Sequence, residues 1–185
     1  MLKLVSLVSI PVAAIALASC APISEDACRG GNWGSIGLED GKEGKSLSIL
    51  DKYAQRCAEF GVAPDQDVYL AARQSGLQFY CTPQNAYQVG RDGGRLNKVC
   101  QPGVQASISP AFNQGKRYYE VTEEIRRIRD RQDDLRDQLR ALRDQTPVQG
   151  LDAQRLTIRS KIEDLRHDIF MLDLERDRFE TFPSG

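Results

Sequence analysis

From Val121 onward the apolar side chains recur in steps of four and three: Val121, Ile125, Ile128, Gln132, Leu135, Leu139 and Leu142. These positions share one stripe of an α-helix, the a/d seam of a coiled coil with a single polar slot at Gln132. Thr146-Pro147-Val148-Gln149-Gly150 breaks the pattern, because proline and glycine punctuate helices. The steps resume at Leu151, Arg155, Ile158, Ile162, Leu165, Ile169, Leu172, Arg176 and Phe179. Two seams around a short turn predict an antiparallel hairpin. Counting outward from the turn sets Leu142 by Leu151, Leu135 by Ile158, Gln132 by Ile162, Ile128 by Leu165 and Val121 by Leu172. Tyr118 then falls by Arg176, within reach of a cation–π contact. Phe170, Met171 and Leu174 lie off the seam. Packing on the preceding region is the favoured reading for them, and presentation to a partner is the other.

The region before the hairpin reads as shorter helices. In GNWGSIGLEDGKEGK, residues 31–45, Gly34, Gly37, Gly41 and Gly44 are spaced to share one helical face. Each glycine inside a helix costs about 1 kcal/mol against alanine. A helix there requires a second backbone packed close against the stripe; a glycine-rich loop is the alternative. Leu47, Leu50, Ala54 and Cys57 share the next face, with Gly61 placed to end the helix. Asp65 can start another, with Val68, Ala72, Ser75 and Phe79 along one side. Thr82-Pro83 is a suitable N-cap and first helical residue. Ala86-Tyr87-Gln88-Val89-Gly90-Arg91 is echoed by Ala111-Phe112-Asn113-Gln114-Gly115-Lys116, and Tyr69 to Leu77 is a looser copy. Such repetition predicts short helices stacked on one another. No run of alternating β-branched residues calls for a sheet. The expected fold is all-α: a small disulfide-stapled helical domain followed by a long antiparallel coiled-coil helical hairpin.

The first residues carry a different signal. Lys3 precedes a nearly continuous apolar run from Leu4 to Leu17, interrupted by Ser6, Ser9 and Pro11. It is short of the ~20 residues that span a bilayer, so it reads as a secretory signal peptide. Ala16-Leu17-Ala18 fits the ordinary signal peptidase. Leu17-Ala18-Ser19-Cys20 looks like the lipobox of bacterial lipoproteins, and this is the favoured reading. That resemblance implies a lipid on the Cys20 thiol, cleavage before it, and acylation of the new amine. Two or more acyl chains at about 0.8 kcal/mol per buried methylene form a lasting membrane tether. By the same resemblance Ala21, where aspartate would favour the inner membrane, points to the outer membrane with the body facing the periplasm.

Cysteine arithmetic agrees with an exported chain. Of Cys20, Cys28, Cys57, Cys81 and Cys100, a lipidated Cys20 leaves four to form two disulfides. Three pairings are open; Cys28 with Cys57 and Cys81 with Cys100, each joining near neighbours in sequence, is favoured. A zinc site is disfavoured, because no C-x2-C spacing exists and the single histidine, His167, is far away. The organisation expected is a signal peptide over residues 1–19, an acylated tether over 20–30, a stapled domain over 31–116 and the hairpin over 117–182.

Charge and motif narrow the function. The 25 basic and 26 acidic residues nearly cancel, which argues against nucleic acid as a partner. The arginines after Val121 alternate with acids, as on a solvated helix face, and Glu123 is placed to pair with Arg127. No G-x-S-x-G, Walker loop or H-E-x-x-H motif is present. Glu163 and Asp164 are adjacent and point apart, so they make no obvious acid–base pair. The reading is of a non-enzyme, with no catalytic residue, metal or cofactor. An enzyme with a site assembled from scattered residues is the least favoured reading.

Trp33, Ile36-Gly37-Leu38-Glu39-Asp40-Gly41 and Gly44, then Cys57-Ala58-Glu59-Phe60-Gly61, Tyr80-Cys81-Thr82-Pro83, Gly90 and Cys100, together carry a resemblance. From about Asn32 to Glu120 the chain resembles small proteobacterial cell-envelope lipoproteins whose shared domain has no assigned function. The resemblance implies envelope location, paired cysteines and a coiled tail, and it implies no activity. The function expected is a lipid-anchored structural or protein-interaction module working through its hairpin, with self-association possible. The alternative is a periplasmic assembly chaperone or pilot for another envelope protein.

Overall fold

A computed structural model describes residues 22–143 and 149–182. The segment expected to be a signal peptide, Cys20 and Thr146 to Val148 therefore lie outside the described residues. The described residues form seven helices: α1 (Glu25–Gly30), α2 (Trp33–Lys42), α3 (Ser48–Ala58), α4 (Gln66–Tyr80), α5 (Pro83–Arg91), α6 (Pro102–Arg143) and α7 (Leu151–Asp177). The fold is all-α. Two disulfides staple the N-terminal part, and α6 and α7 form the hairpin.

Local chemistry sets several helix starts. Ser24, Asn32, Asp65 and Thr82 each accept a hydrogen bond from the backbone N–H three residues on, satisfying a donor that the first turn leaves free. Pro83 follows Thr82 at the first helical position, where its missing N–H costs nothing. Gly150 adopts φ 88° immediately before α7.

The helices pack in pairs: α2 on α4, α5 on the first part of α6, and α7 on the rest of α6. One core gathers Ile23, Cys28, Trp33, Leu50, Tyr53, Cys57 and Tyr69. A second gathers Ala86, Tyr87, Ile108 and Ala111, with Phe112 and Phe182 against it. Cys28–Cys57 joins α1 to α3 inside the first core, and Cys81–Cys100 ties the end of α4 to the segment entering α6. Each bridge stabilises the fold by about 2–4 kcal/mol, by limiting the unfolded chain.

Two expected boundaries shift. Ile23 and Cys28 are buried in the first core, so the segment expected as a tether is, from Ile23 on, part of the body. The boundary expected at 116/117 falls inside α6, which runs 42 residues, about 63 Å, without a break. Body and hairpin therefore share one helix. Pro110 sits within it, next to Ser109, whose hydroxyl donates to the Gln105 carbonyl at 2.7 Å.

The buried faces also differ from the hydrophobic count. Leu47 is half exposed, and the inner face of α3 is Leu50, Tyr53 and Cys57. In α4, Val68 and Phe79 face solvent, while Tyr69, Arg73, Gly76, Leu77 and Tyr80 turn inward. Hydrophobicity marks the Val68–Phe79 side, but backbone proximity selects the side carrying Gly76.

Candidate functional site

The glycine stripe of residues 34–44 is helical, and a second backbone does close on it. A Cβ added at Gly37 would strike the Tyr69 backbone, and one at Gly41 would strike the backbone of Arg73 and Gly76. The second helix pair repeats the arrangement. A Cβ at Gly90 would meet Phe112, Gly115 and Lys116, and one at Gly115 would meet Tyr87 and Arg91, all at backbone atoms. The echoed segments Ala86–Arg91 and Ala111–Lys116 are thus the two facing strips of α5 and α6.

The correspondence extends to the helix ends. Gly44, three residues after Gly41, has φ 64°, and Gly93, three after Gly90, has φ 71°. Each lets the next N–H bond back across the helix end: Lys45 N–H to Asp40 O at 2.8 Å, and Gly94 N–H to Val89 O at 2.8 Å. Each also lies under a tyrosine ring, Tyr80 over Gly44 and Tyr119 over Gly93. Those tyrosines stand four residues after Gly76 and Gly115 respectively. The body therefore builds the same glycine-packed helix pair twice.

Among the described residues, only the first pair holds a buried ionic network. Asp40 is 2% exposed. It accepts from the Tyr69 hydroxyl at 2.9 Å, the Tyr53 hydroxyl at 3.3 Å and the Lys45 ammonium at 2.9 Å. One carboxylate thus links α2 to α3 and α4. Hydrogen bonds to Asp40 and Glu43 hold Lys45 well above the usual lysine value. Burial, aided by the charge of Asp40, pushes the Tyr53 hydroxyl up to about 12 and raises Tyr69 as well. With both oxygens engaged, this carboxylate is a structural lock. The sequence reading missed it, although Asp40 shares the buried face of Gly37 and Gly41, which was the available signal.

The hairpin seam follows the expected register. Gln132 Nε2 donates to Ile162 O at 3.2 Å, and Val121, Ile125, Leu135, Leu151 and Ile162 are buried. Arg155 in the seam donates to Leu142 O at 2.8 Å. Between the arms, Arg117 pairs with Glu175 at 2.7 Å. Glu123 pairs with Arg126 rather than Arg127, which takes Glu124 instead, both at a spacing of three. Tyr118 lies under Arg91, 4.1 Å from guanidinium carbon to ring centre, and Arg176 instead pairs with Asp173 and Asp177. The contact with Arg91 wins because α5 occupies that side of α6.

The base of the hairpin is fastened to the body. The Tyr87 hydroxyl lies 2.7 Å from Phe179 O and 2.6 Å from Glu180 O, and Arg91 donates to Glu180 O at 2.7 Å. Phe182 packs on the Tyr87 ring, with centroids 5.6 Å apart.

Phe170, Met171 and Leu174 do not pack on the body. They are 57%, 52% and 47% exposed and form an apolar strip along α7. His167, one turn before Phe170, is also exposed. Among the described residues no group of three or more histidine, cysteine, aspartate or glutamate side chains is placed to hold a metal ion. No described helix is long and apolar enough to cross a membrane.

No curated protein matches this chain, and no solved structure does. One family model matches, described as a protein of unknown function, DUF2799, and it covers residues 32–117, from the N-cap of α2 to the point in α6 just past the second glycine pair. Residues 32–117, which carry both glycine-packed helix pairs, are therefore a DUF2799 domain of unknown function.

Proposed function

We propose that this protein is a non-enzymatic lipoprotein of the cell envelope, anchored through Cys20 in the outer membrane and facing the periplasm. Its helical hairpin serves as a structural or protein-interaction module. The carrying observation is the distribution of the cysteines: four close two disulfides in the body, and the fifth, Cys20, ends the apolar run at Leu17-Ala18-Ser19. Disulfides persist in oxidising compartments, which suits an exported chain. Intact mass spectrometry of the unreduced protein from membranes tests this. The expected species starts at Cys20, carries acyl mass and has its other cysteines oxidised. A lipid-free chain starting at Ser19 overturns the anchor.

The exposed strip of Phe170, Met171 and Leu174 favours a second reading, an assembly chaperone or pilot that carries another envelope protein on α7. A photoreactive residue at position 170 separates the possibilities. One discrete adduct with an envelope protein, lost in Leu174→Asp, supports carriage. An adduct only between copies of this chain supports self-association.

A further inference from the structure

Arg73 is 9% exposed, and its Nε has no hydrogen-bond partner among the described residues. Its Nη2 donates to Lys45 O at 2.6 Å, a favourable place for a cation at the end of α2. That bond leaves the rest of the guanidinium unexplained. Among the described residues no carboxylate pairs with Arg73, while the nearby Lys45 ammonium is held by Asp40 at 2.9 Å and Glu43 at 2.8 Å. A buried cation without a counter-charge is costly to hold.

Arg73 lines a cleft of about 390 Å³ together with Ser46, Leu47, Asn97, Lys98 and Val99. The lining holds two cations and no carboxylate. Leu47 is also the N-cap of the 11-residue α3, and its side chain supplies no capping hydrogen bond. Ser46 caps it instead, its Oγ accepting from the Ser48 N–H at 3.2 Å and its carbonyl from the Ile49 N–H at 3.1 Å, so the charged donors open to the cleft are side chains. The wall opposite is fixed: Asn97 donates from its backbone N–H to the Tyr80 hydroxyl at 2.9 Å and from Nδ2 to Gly44 O at 3.0 Å. A buried arginine and an exposed lysine line one cleft, and its Asn97 side is held by hydrogen bonds within the chain.

We infer that this cleft binds a phosphate-class oxyanion, with Arg73 and Lys98 as the charged donors. Guanidinium groups match phosphate oxygens by paired N–H donors, and the ammonium adds a point charge. Leu47 and Val99 on the same lining give an apolar seat for whatever carries the phosphate. The source is either a free phosphate ester or a phospholipid headgroup.

Titration calorimetry of the full-length protein in detergent, at constant ionic strength, tests the site with inorganic phosphate and then glycerol phosphate. The expected result is saturable binding weakened at least about tenfold by Lys98→Glu, the loss of one charge-assisted hydrogen bond. Lys98 is exposed, so circular dichroism should show the variant folded. Arg73→Gln should abolish binding; amide shifts on phosphate addition, confined to residues 46–49 and 97–99 in the unsubstituted protein, locate the site even if that variant unfolds. Absence of saturable binding up to about 10 mM, or binding unchanged by Lys98→Glu, overturns the inference. Tighter binding of a short-chain lysophosphatidylglycerol than of glycerol phosphate assigns a lipid headgroup, and equal binding assigns a free ester.

Discussion

Gly41 and Gly76 face each other across the α2–α4 seam so closely that a methyl group on either would lie 2.9 Å from the other's Cα. The obstructing atoms are backbone, which cannot turn aside as a flexible side chain does. Gly76→Ala should therefore destabilise the body by about 2–3 kcal/mol, because overpacking outweighs the roughly 1 kcal/mol that alanine gains in helix propensity. Gly34→Ala, whose methyl would meet only the Val68 side chain at 3.5 Å, should be neutral or stabilising by up to about 1 kcal/mol. Urea midpoints at unchanged slope check both, and a stable Gly76→Ala contradicts the close packing.

Alkaline pH should loosen the first core. Tyr53 is raised in the folded protein to about 12, and Tyr69 and Lys45 are raised too. A raised folded pKa means the stabilisation is complete below the unfolded value, near 10 for tyrosine, and is lost as pH climbs through the folded value. Melting temperature should hold to about pH 9 and fall steeply beyond 10. Tyr53→Phe with Tyr69→Phe should flatten that fall; an equally steep decline in the double variant rules out these hydroxyls as its cause.

Asp40→Ala should cost about 3–5 kcal/mol, the range for breaking a buried ion pair, since it strands two buried hydroxyls and Lys45 together. Asp40→Asn, which keeps the shape and one acceptor, should cost less. Thermal melts at pH 7 rank them, and equal stability for the three proteins would remove the lock from the account.

The bridges should yield to reductant in order. Cys28 and Cys57 are fully buried, while Cys81 and Cys100 are half-buried. Alkylation after brief, mild dithiothreitol treatment should label Cys81 and Cys100 first, because exchange needs access to sulfur. Earlier labelling of Cys28 or Cys57 contradicts the burial.

Leu135→Asp should separate the hairpin arms, because it buries an unpaired charge in the seam. Helicity should fall through the outer part of α6 and α7 while the stapled body survives. Gln132→Leu should stabilise the hairpin by about 1 kcal/mol and loosen its register, since a lone polar seam residue fixes pairing at some cost. Circular dichroism and sedimentation measure the two effects; unchanged helicity in Leu135→Asp refutes the first.

The chain's periodic and capping signals are local, and they determined the helical class, the seam register around Gln132 and Ile162, and the helix starts at Asp65 and Thr82. A heptad seam needs only a partner of like pattern, which the other arm supplies. The glycine spacing stated a condition, that a second backbone must close on residues 34–44, without naming it. Tertiary structure decided that partner: Gly76 for Gly41, and Gly115 for Gly90. It thereby overruled hydrophobicity in α4, placing Tyr69 and Arg73 inside and leaving Phe79 in solvent. It also placed Arg91 over Tyr118, because α5 packs along that side of α6, and it left Phe170 in solvent. The Asp40 network was beyond the reach of periodicity for the same reason. A buried carboxylate is satisfied by donors from α3 and α4, and only the folded chain brings Tyr53 and Tyr69 to it.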